Sequence, residues 1–238
     1  MELRGKRGLV TGASKGIGWA VARALSSRGV NLVLTSRGGD ELERAAAKLT
    51  RSEGATILSK ACDVGDPSQV ESLMRECESR LGGLDILINN AGIGIFKPVA
   101  ELTVQEWRST ISTNLDGVFY CCHYGLPLLK KGGEGFIVNI SSLAGKNPFP
   151  QGAAYNASKF ALTGFSEALT QEVRHDGIRV AYIMPGSVDT WFGGSPPAGE
   201  GSWKLSAEDV ADVVVDTLQR HPRCLTSRIE MRPSRPPK

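Results

Sequence analysis

The sequence predicts an α/β protein built on one doubly wound, seven-stranded parallel sheet. Three observations carry that expectation. Short, nearly continuous apolar runs recur along the chain, segments of helical period separate them, and glycine or turn residues stand at the joints. Strands covered on both faces read as unbroken apolar runs, and parallel neighbours need a helical crossover. Right-handed crossovers then wind the helices onto both sides.

The elements follow in order. Residues 7–11 (RGLVT) read as the first strand, followed by a glycine turn and a helix over 17–28. Residues 31–35 (NLVLT) form a second strand and 40–53 a second helix. A third strand at 56–61 (TILSKA) leads to Asp66-Pro67, an N-cap with proline at the first helical position, opening a helix over 67–81. Strand 85–89 (DILIN) precedes one long helical segment, 103–131, and strand 135–141 (GFIVNIS) precedes another, 153–175. Strand 179–184 (RVAYIM) is followed by a Gly/Pro/Ser stretch at 193–202. Ser206, Glu208 and Asp209 then open a helix over 206–220, where acids suit the dipole, and 227–231 (SRIEM) closes the series. No repeat or linker interrupts it, so one domain over 1–238 is expected, with a substrate lid at about 187–205. The other reading of that stretch is a solvated surface loop.

Composition narrows the class. Twenty-eight basic residues against 25 acidic ones give +3, too small and too evenly spread a surplus for a phosphate-backbone binder. No apolar run reaches the roughly 18 residues of a membrane span, and the first residues lack the apolar core of a secretory signal. Five scattered cysteines, two of them adjacent, suit neither a disulfide framework nor metal-ligand spacing. The expectation is a cytoplasmic protein with reduced thiols and without a metal, nucleic-acid or membrane partner. The basic, proline-rich tail reads as a last strand and a frayed end.

Between the first strand and the first helix lie Gly12, Ser14, Lys15, Gly16, Ile17 and Gly18. Glycine there lets backbone approach a pyrophosphate, and the helix start directs N–H groups at the anion. A ribose 2′-OH is usually held by an acid at the end of the second strand; here Ser36 and Arg37 stand instead. Arg37 and Lys15 are placed to pair with a 2′-phosphate, which favours NADP(H) over NAD(H); otherwise they are solvated surface cations. Asp63 and Val64, after the third strand, suit an adenine edge, and Asn90, Ala91 and Gly92 end the fourth. Asn89 either faces the ligand or bonds at the strand end.

Tyr155 and Lys159 stand four apart on a predicted helix and so share a face. A phenol is a weak acid at neutral pH, and a nearby cation favours the phenolate and lowers its pKa. Such a pair suits proton transfer at a carbonyl oxygen while a nicotinamide handles hydride. Ser142 is placed to hydrogen-bond the same oxygen.

Taken together, Thr11-Gly12-x3-Gly16-x-Gly18, Asn89-Asn90-Ala91-Gly92, Asn114, Ser142, Tyr155-x3-Lys159 and Pro185-Gly186 make the whole chain resemble the short-chain dehydrogenase/reductases, main single-domain branch, NADP-preferring subset. The resemblance implies a Rossmann fold and an NADP(H)-dependent oxidoreductase interconverting carbonyls and alcohols. It implies Tyr155 as acid and base, Lys159 as modulator of the phenol and holder of the nicotinamide ribose, Ser142 as carbonyl partner, and Asn114 as support of a proton relay. Val188 and Thr190, after Pro185 and Gly186, would meet the nicotinamide carboxamide. A homodimer or homotetramer through the two long helices is implied too. Ile95, Phe96, Ala144, Phe149, Trp191 and Phe192 line an apolar substrate pocket if that geometry holds, and are core or lid packing otherwise. A 3-oxoacyl thioester reductase is the second reading, with Lys97, Lys146 and Lys204 as a basic mouth; a non-catalytic dinucleotide-binding regulator is the third.

Overall fold

In the computed structural model, which describes residues 1–49, 54–194, 196–199 and 201–237, the expected alternation folds into one parallel sheet. Its strands are β1 (Arg7–Thr11), β2 (Asn31–Ser36), β3 (Ile57–Ala61), β4 (Ile86–Asn89), β5 (Gly135–Ile140), β6 (Ile178–Pro185) and β7 (Arg228–Met231). They lie in the order β3-β2-β1-β4-β5-β6-β7, every pair parallel. The chain leaves β1 toward one edge and returns at β4 toward the other. The crevice between β1 and β4 is therefore the switch point where open α/β sheets bind ligands.

The central strands divide their side chains between two cores. Val10, Ile86, Ile88 and Val138 pack toward α1 (Gly16–Ser26) and α7 (Ala207–Gln219), while Leu9, Leu87 and Ile137 pack toward α3 (Pro67–Leu81), α5 (Gly117–Lys131) and α6 (Ala153–Val173). This is the period-two alternation of a strand buried on both faces. Asp66 caps α3 with hydrogen bonds from the Ser68 and Gln69 amides, and Ser206 and Asp209 form a reciprocal capping box on α7. No helix among the described residues is long and apolar enough to cross a membrane.

Two expected helices differ. The helix expected over 40–53 is α2 (Gly39–Ala47); residues 50–53 lie outside the described residues. The single helix expected over 103–131 is instead α4 (Val104–Ile111), a π turn at Ser112–Asp116, and α5. The π turn admits Asn114, whose side chain is wholly buried and bonds outside its own helix. Asn114 Oδ1 accepts the Ile93 amide at 2.8 Å, and Nδ2 donates to Ile93 O at 2.9 Å and Ser158 Oγ at 3.0 Å. The helical period is interrupted to serve a neighbouring loop, a frequent use of π geometry.

At the strand ends away from the crevice, an ion pair ties the start of β1 to the start of β4. Arg7 Nε and Nη2 donate to both oxygens of buried Asp85, at 2.8 and 2.7 Å, and Arg7 N donates to Asp85 Oδ2. Arg7 Nη1 also reaches Gly82 O beyond α3. Asp85→Ala removes the acceptors and leaves a half-covered guanidinium, so a loss of about 2–3 kcal/mol is expected in denaturant unfolding.

Candidate active site

The crevice floor is made where β1 and β4 end. Thr11 Oγ1 accepts the Asn90 and Ala91 amides at 2.9 and 3.0 Å, while Asn90 Nδ2 donates to Thr11 O and Gly12 O. The glycine turn crosses directly above. Gly12 and Gly16 adopt φ of +63° and +58°, the region that favours glycine. A Cβ on Gly18 would lie 2.3 Å from Gly12 O and 2.5 Å from Asn90 Nδ2, so the helix start can sit against the loop only with glycine there. Lys15, the N-cap of α1, is extended and supplies no side-chain acceptor to the first turn of that helix.

At the far end of this loop the charges differ from expectation. Arg37 is exposed and has no acidic partner among the described residues. Lys15 is not free: its Nζ lies 3.3 Å from Glu41 Oε1, and Ser14 Oγ donates to Glu41 Oε2 at 3.2 Å. Asp63 accepts the Gly65 amide, and buried Val64 packs where a Cβ on Gly117 would touch it at 2.8 Å. Asn89 points away from the crevice into the core, donating to Asn139 Oδ1 at 2.9 Å; Asn139 in turn donates to Ser166 Oγ.

The other end is built by β5 and α6. Beyond β5, Ser142 Oγ accepts the Ala144 amide at 3.1 Å in a short 3₁₀ turn, Leu143–Gly145. Asn156 Nδ2 donates to Ala144 O at 2.8 Å and ties that turn to α6. Tyr155 and Lys159 are both buried on one face of α6. Lys159 Nζ donates to Ile140 O at 2.9 Å and stands 5.8 Å from the centre of the Tyr155 ring. A Cβ on Gly92 would come to 3.4 Å of Asn114 Oδ1 and 3.9 Å of Lys159 Nζ, so both groups neighbour Gly92.

These two ends form one cleft of about 550 Å³. Gly12, Ser14, Lys15, Gly16, Ile17, Ser36, Arg37, Asp63, Val64, Asn90, Ala91, Gly92, Ser142, Tyr155, Lys159, Pro185, Gly186, Val188 and Thr190 all line it. Gly18 and Asn114 stand behind its wall. The profile of the short chain dehydrogenase family matches residues 6–198.

The chain belongs to the short-chain dehydrogenase family. It is 32% identical over 237 residues to an uncharacterized oxidoreductase of Staphylococcus saprophyticus, covering 98% of this chain and 99% of that one. Among solved structures it is similar to an alcohol dehydrogenase of the archaeon Thermococcus sibiricus complexed with 5-hydroxy-NADP, with TM-score 0.90, 32% identity and coverage of 98% and 99%. It is also similar to a metagenomic short-chain oxidoreductase in complex with NADP, with TM-score 0.86, 33% identity and coverage of 99% and 100%.

The cleft of this short-chain dehydrogenase has features that its sequence concealed. Glu41, Thr113, Ile140 and Ser141 also line it. Ser141 Oγ is buried without a partner, the sort of group a bound ligand satisfies. The glycine cradle, the cation at Arg37 and this hydroxyl fit a phosphorylated dinucleotide. At the chemical end, Phe96 meets Tyr155 edge-on at 5.6 Å between ring centres, Phe192 meets it at 5.5 Å, and Phe149 packs on Phe96. Ala144 is buried beside Ser142, and Ile95 is half-buried.

Electrostatics correct one expectation. Burial pushes the Tyr155 hydroxyl above the ordinary phenol value, against a smaller lowering from its Ser142 hydrogen bond. Spacing alone predicts a lowering by Lys159; in the structure burial is the largest influence on the hydroxyl, and Lys159 gives one hydrogen bond to Ile140 O. Burial also lowers Lys159 from 10.5 to about 8. Between those values the unfolded chain keeps a proton that the folded one has lost, so this group adds stability as pH rises from 8 to 10.5. In urea unfolding, the stability of wild type relative to Lys159→Met is expected to climb by about 2–3 kcal/mol across that window.

Proposed function

We propose that the chain is an NADP(H)-dependent oxidoreductase that interconverts a carbonyl and an alcohol at Ser142, Tyr155 and Lys159. The observation that carries this reading is the burial of a phenol and an ammonium on one helix face, at the end of a glycine-floored cleft. NADP(H), when bound, supplies or accepts the hydride. The turn from Gly12 to Gly18 holds its pyrophosphate through backbone amides, with Ser14 and Ile17 beside it. Ser36 and Arg37 take the 2′-phosphate ribose, Asp63 and Val64 the adenine, and Asn90, Ala91 and Gly92 the middle of the molecule. Pro185, Gly186, Val188 and Thr190 face the carboxamide.

Tyr155 Oη gives its proton to the carbonyl oxygen in reduction and takes it back in oxidation. Ser142 Oγ donates to the same oxygen and stabilises its growing charge. Lys159 has three donors and uses one on Ile140 O, which leaves two for a ribose hydroxyl and a water. Asn114 fixes the loop at Ile93 behind Lys159 and supports the relay that returns a proton to Tyr155. Burial keeps the phenol protonated at rest, and a cation beside it stabilises the phenolate once the proton has been given up.

The substrate we favour is an uncharged ketone or aldehyde with an apolar body, received by Phe96, Phe149 and Phe192. The 3-oxoacyl thioester reading needs free cations at the mouth; Lys97 pairs with Glu106 and Lys146 with Glu230, which leaves Lys204 alone of the three without an ion pair among the described residues. Residues 187–205 form a substrate lid on the single 1–238 domain. A Val188–Leu205 bridge closes its base, and the Asp189 carboxylate accepts the Ala198 and Gly199 amides at 3.0 and 2.9 Å. The exposed rings of Phe119 on α5 and Phe160 on α6 support a homodimer or homotetramer through these helices. Buried free thiols at Cys62, Cys77, Cys121 and Cys122 suit the cytoplasm.

The test is NADPH consumption with ketones, aldehydes and acetoacetyl thioesters, alongside coenzyme binding. Tyr155→Phe is expected to cut turnover about 10²–10⁴-fold while NADPH affinity stays within about twofold. Near-wild-type turnover in that variant moves the proton to another group. Binding without turnover on any carbonyl favours a regulator. Arg37→Asp is expected to shift the NADPH-to-NADH affinity ratio toward NADH by roughly 10–100-fold, read by fluorescence titration.

A further inference from the structure

Three charges meet at the adenosine end of the cleft, and the third was not legible in the sequence. Arg37 and Lys15 are cations, and Glu41, in the first turn of α2, is an acid whose side chain turns back over the glycine loop. Its two oxygens are held apart by different partners, Lys15 Nζ at 3.3 Å and Ser14 Oγ at 3.2 Å. The carboxylate also lies against Gly38, where a Cβ would come to 4.0 Å of Oε2. All of Ser14, Lys15, Arg37, Gly38 and Glu41 line the cleft, so Glu41 belongs to the binding wall and is not a distant surface charge. The sequence-level pair of cations thus becomes two cations and one acid, with half the net positive charge.

We propose that Glu41 is a specificity-determining residue that limits this chain's preference for a 2′-phosphorylated dinucleotide and lets it accept the unphosphorylated one. The inference rests on the dinucleotide-binding reading above. A ribose bearing free hydroxyls has protons to donate, and Glu41 Oε1 and Oε2 are acceptors facing the same space. A 2′-phosphate carries only acceptors and close to two negative charges near neutral pH, so it meets Arg37 favourably and Glu41 unfavourably. The tether between Glu41 and Lys15 also holds the ammonium toward α2. Both side chains are about half exposed, so water and salt weaken the effect without abolishing it.

The experiment is a pair of binding titrations, reading the intrinsic fluorescence of NADPH and of NADH on wild type and Glu41→Gln at low ionic strength. Removing the acid is expected to tighten NADPH by about three- to tenfold and to leave NADH unchanged or up to about threefold weaker. Raising the salt concentration should shrink the NADPH gain. Glu43→Gln makes the same charge change at an exposed position of the same helix outside the cleft lining, and should move neither constant. An unchanged NADPH-to-NADH ratio in Glu41→Gln, or an equal shift for both coenzymes, overturns the role of Glu41 while leaving the dinucleotide reading intact. Failure of wild type to bind either coenzyme overturns that reading and this inference with it.

Discussion

The site depends first on how the open ends of β1 and β4 satisfy one another. Where two parallel strands part at a switch point, their last amides and carbonyls lose ladder partners and would otherwise need water. Thr11 and Asn90 supply those partners with two side chains, in five hydrogen bonds counting the one to Ile88 O. The strand ends are thereby joined across the crevice floor. Gly12 and Gly18 can then press against it, because neither projects a Cβ into the Asn90 amide or the Ala91 backbone. A side chain at either place would lift the loop, and the start of α1 with it, off the floor.

A second constraint acts at the chemical end, where desolvation and hydrogen bonding oppose each other. Burying an ammonium costs free energy unless polar atoms surround it. Ile140 O supplies one to Lys159, which leaves the rest of the ammonium's donors to whatever occupies the cleft. Tyr155 is buried without comparable compensation for its ionised form, so the neutral phenol is the resting state. The two groups therefore rest with opposite biases. The lysine is easily deprotonated for a lysine, and the tyrosine is hard to deprotonate for a tyrosine. Whatever enters between them changes both balances, because it displaces water and brings its own polar atoms.

Much of this was legible in the sequence because its causes are local or periodic. β1, β4 and β5 are unbroken apolar runs, which only strands covered on both faces require. The i, i+4 spacing of Tyr155 and Lys159 fixes their shared face before any tertiary contact is known. Asp66-Pro67 states its cap outright. The remainder was hidden because it is a matter of direction across the fold. Nothing in the order of residues says that Glu41 turns toward Lys15, that Asn89 looks into the core while Asn90 looks at the glycine turn, or that Asn114 takes a π turn to reach Ile93. Likewise, spacing placed the ammonium beside the phenol but gave no measure of burial, and burial decided the sign at Tyr155.

Polarity also changes along the cleft, and that change orients whatever binds. At the end of the cleft beside the glycine turn the wall is charged and open, with Arg37 and the Lys15–Glu41 pair about half exposed or more. At the Tyr155 end it is aromatic, with three phenylalanine rings around a buried phenol. Two of the three lysines expected at that mouth, Lys97 and Lys146, are paired with Glu106 and Glu230. A phosphate placed against the rings would surrender its hydration with only the buried Lys159 ammonium to answer it, and an apolar group placed at Arg37 would gain little. The cleft thus sorts the charged and uncharged parts of its ligands to opposite ends. At the aromatic end the Tyr155 phenol is buried, so little solvent competes for its hydroxyl.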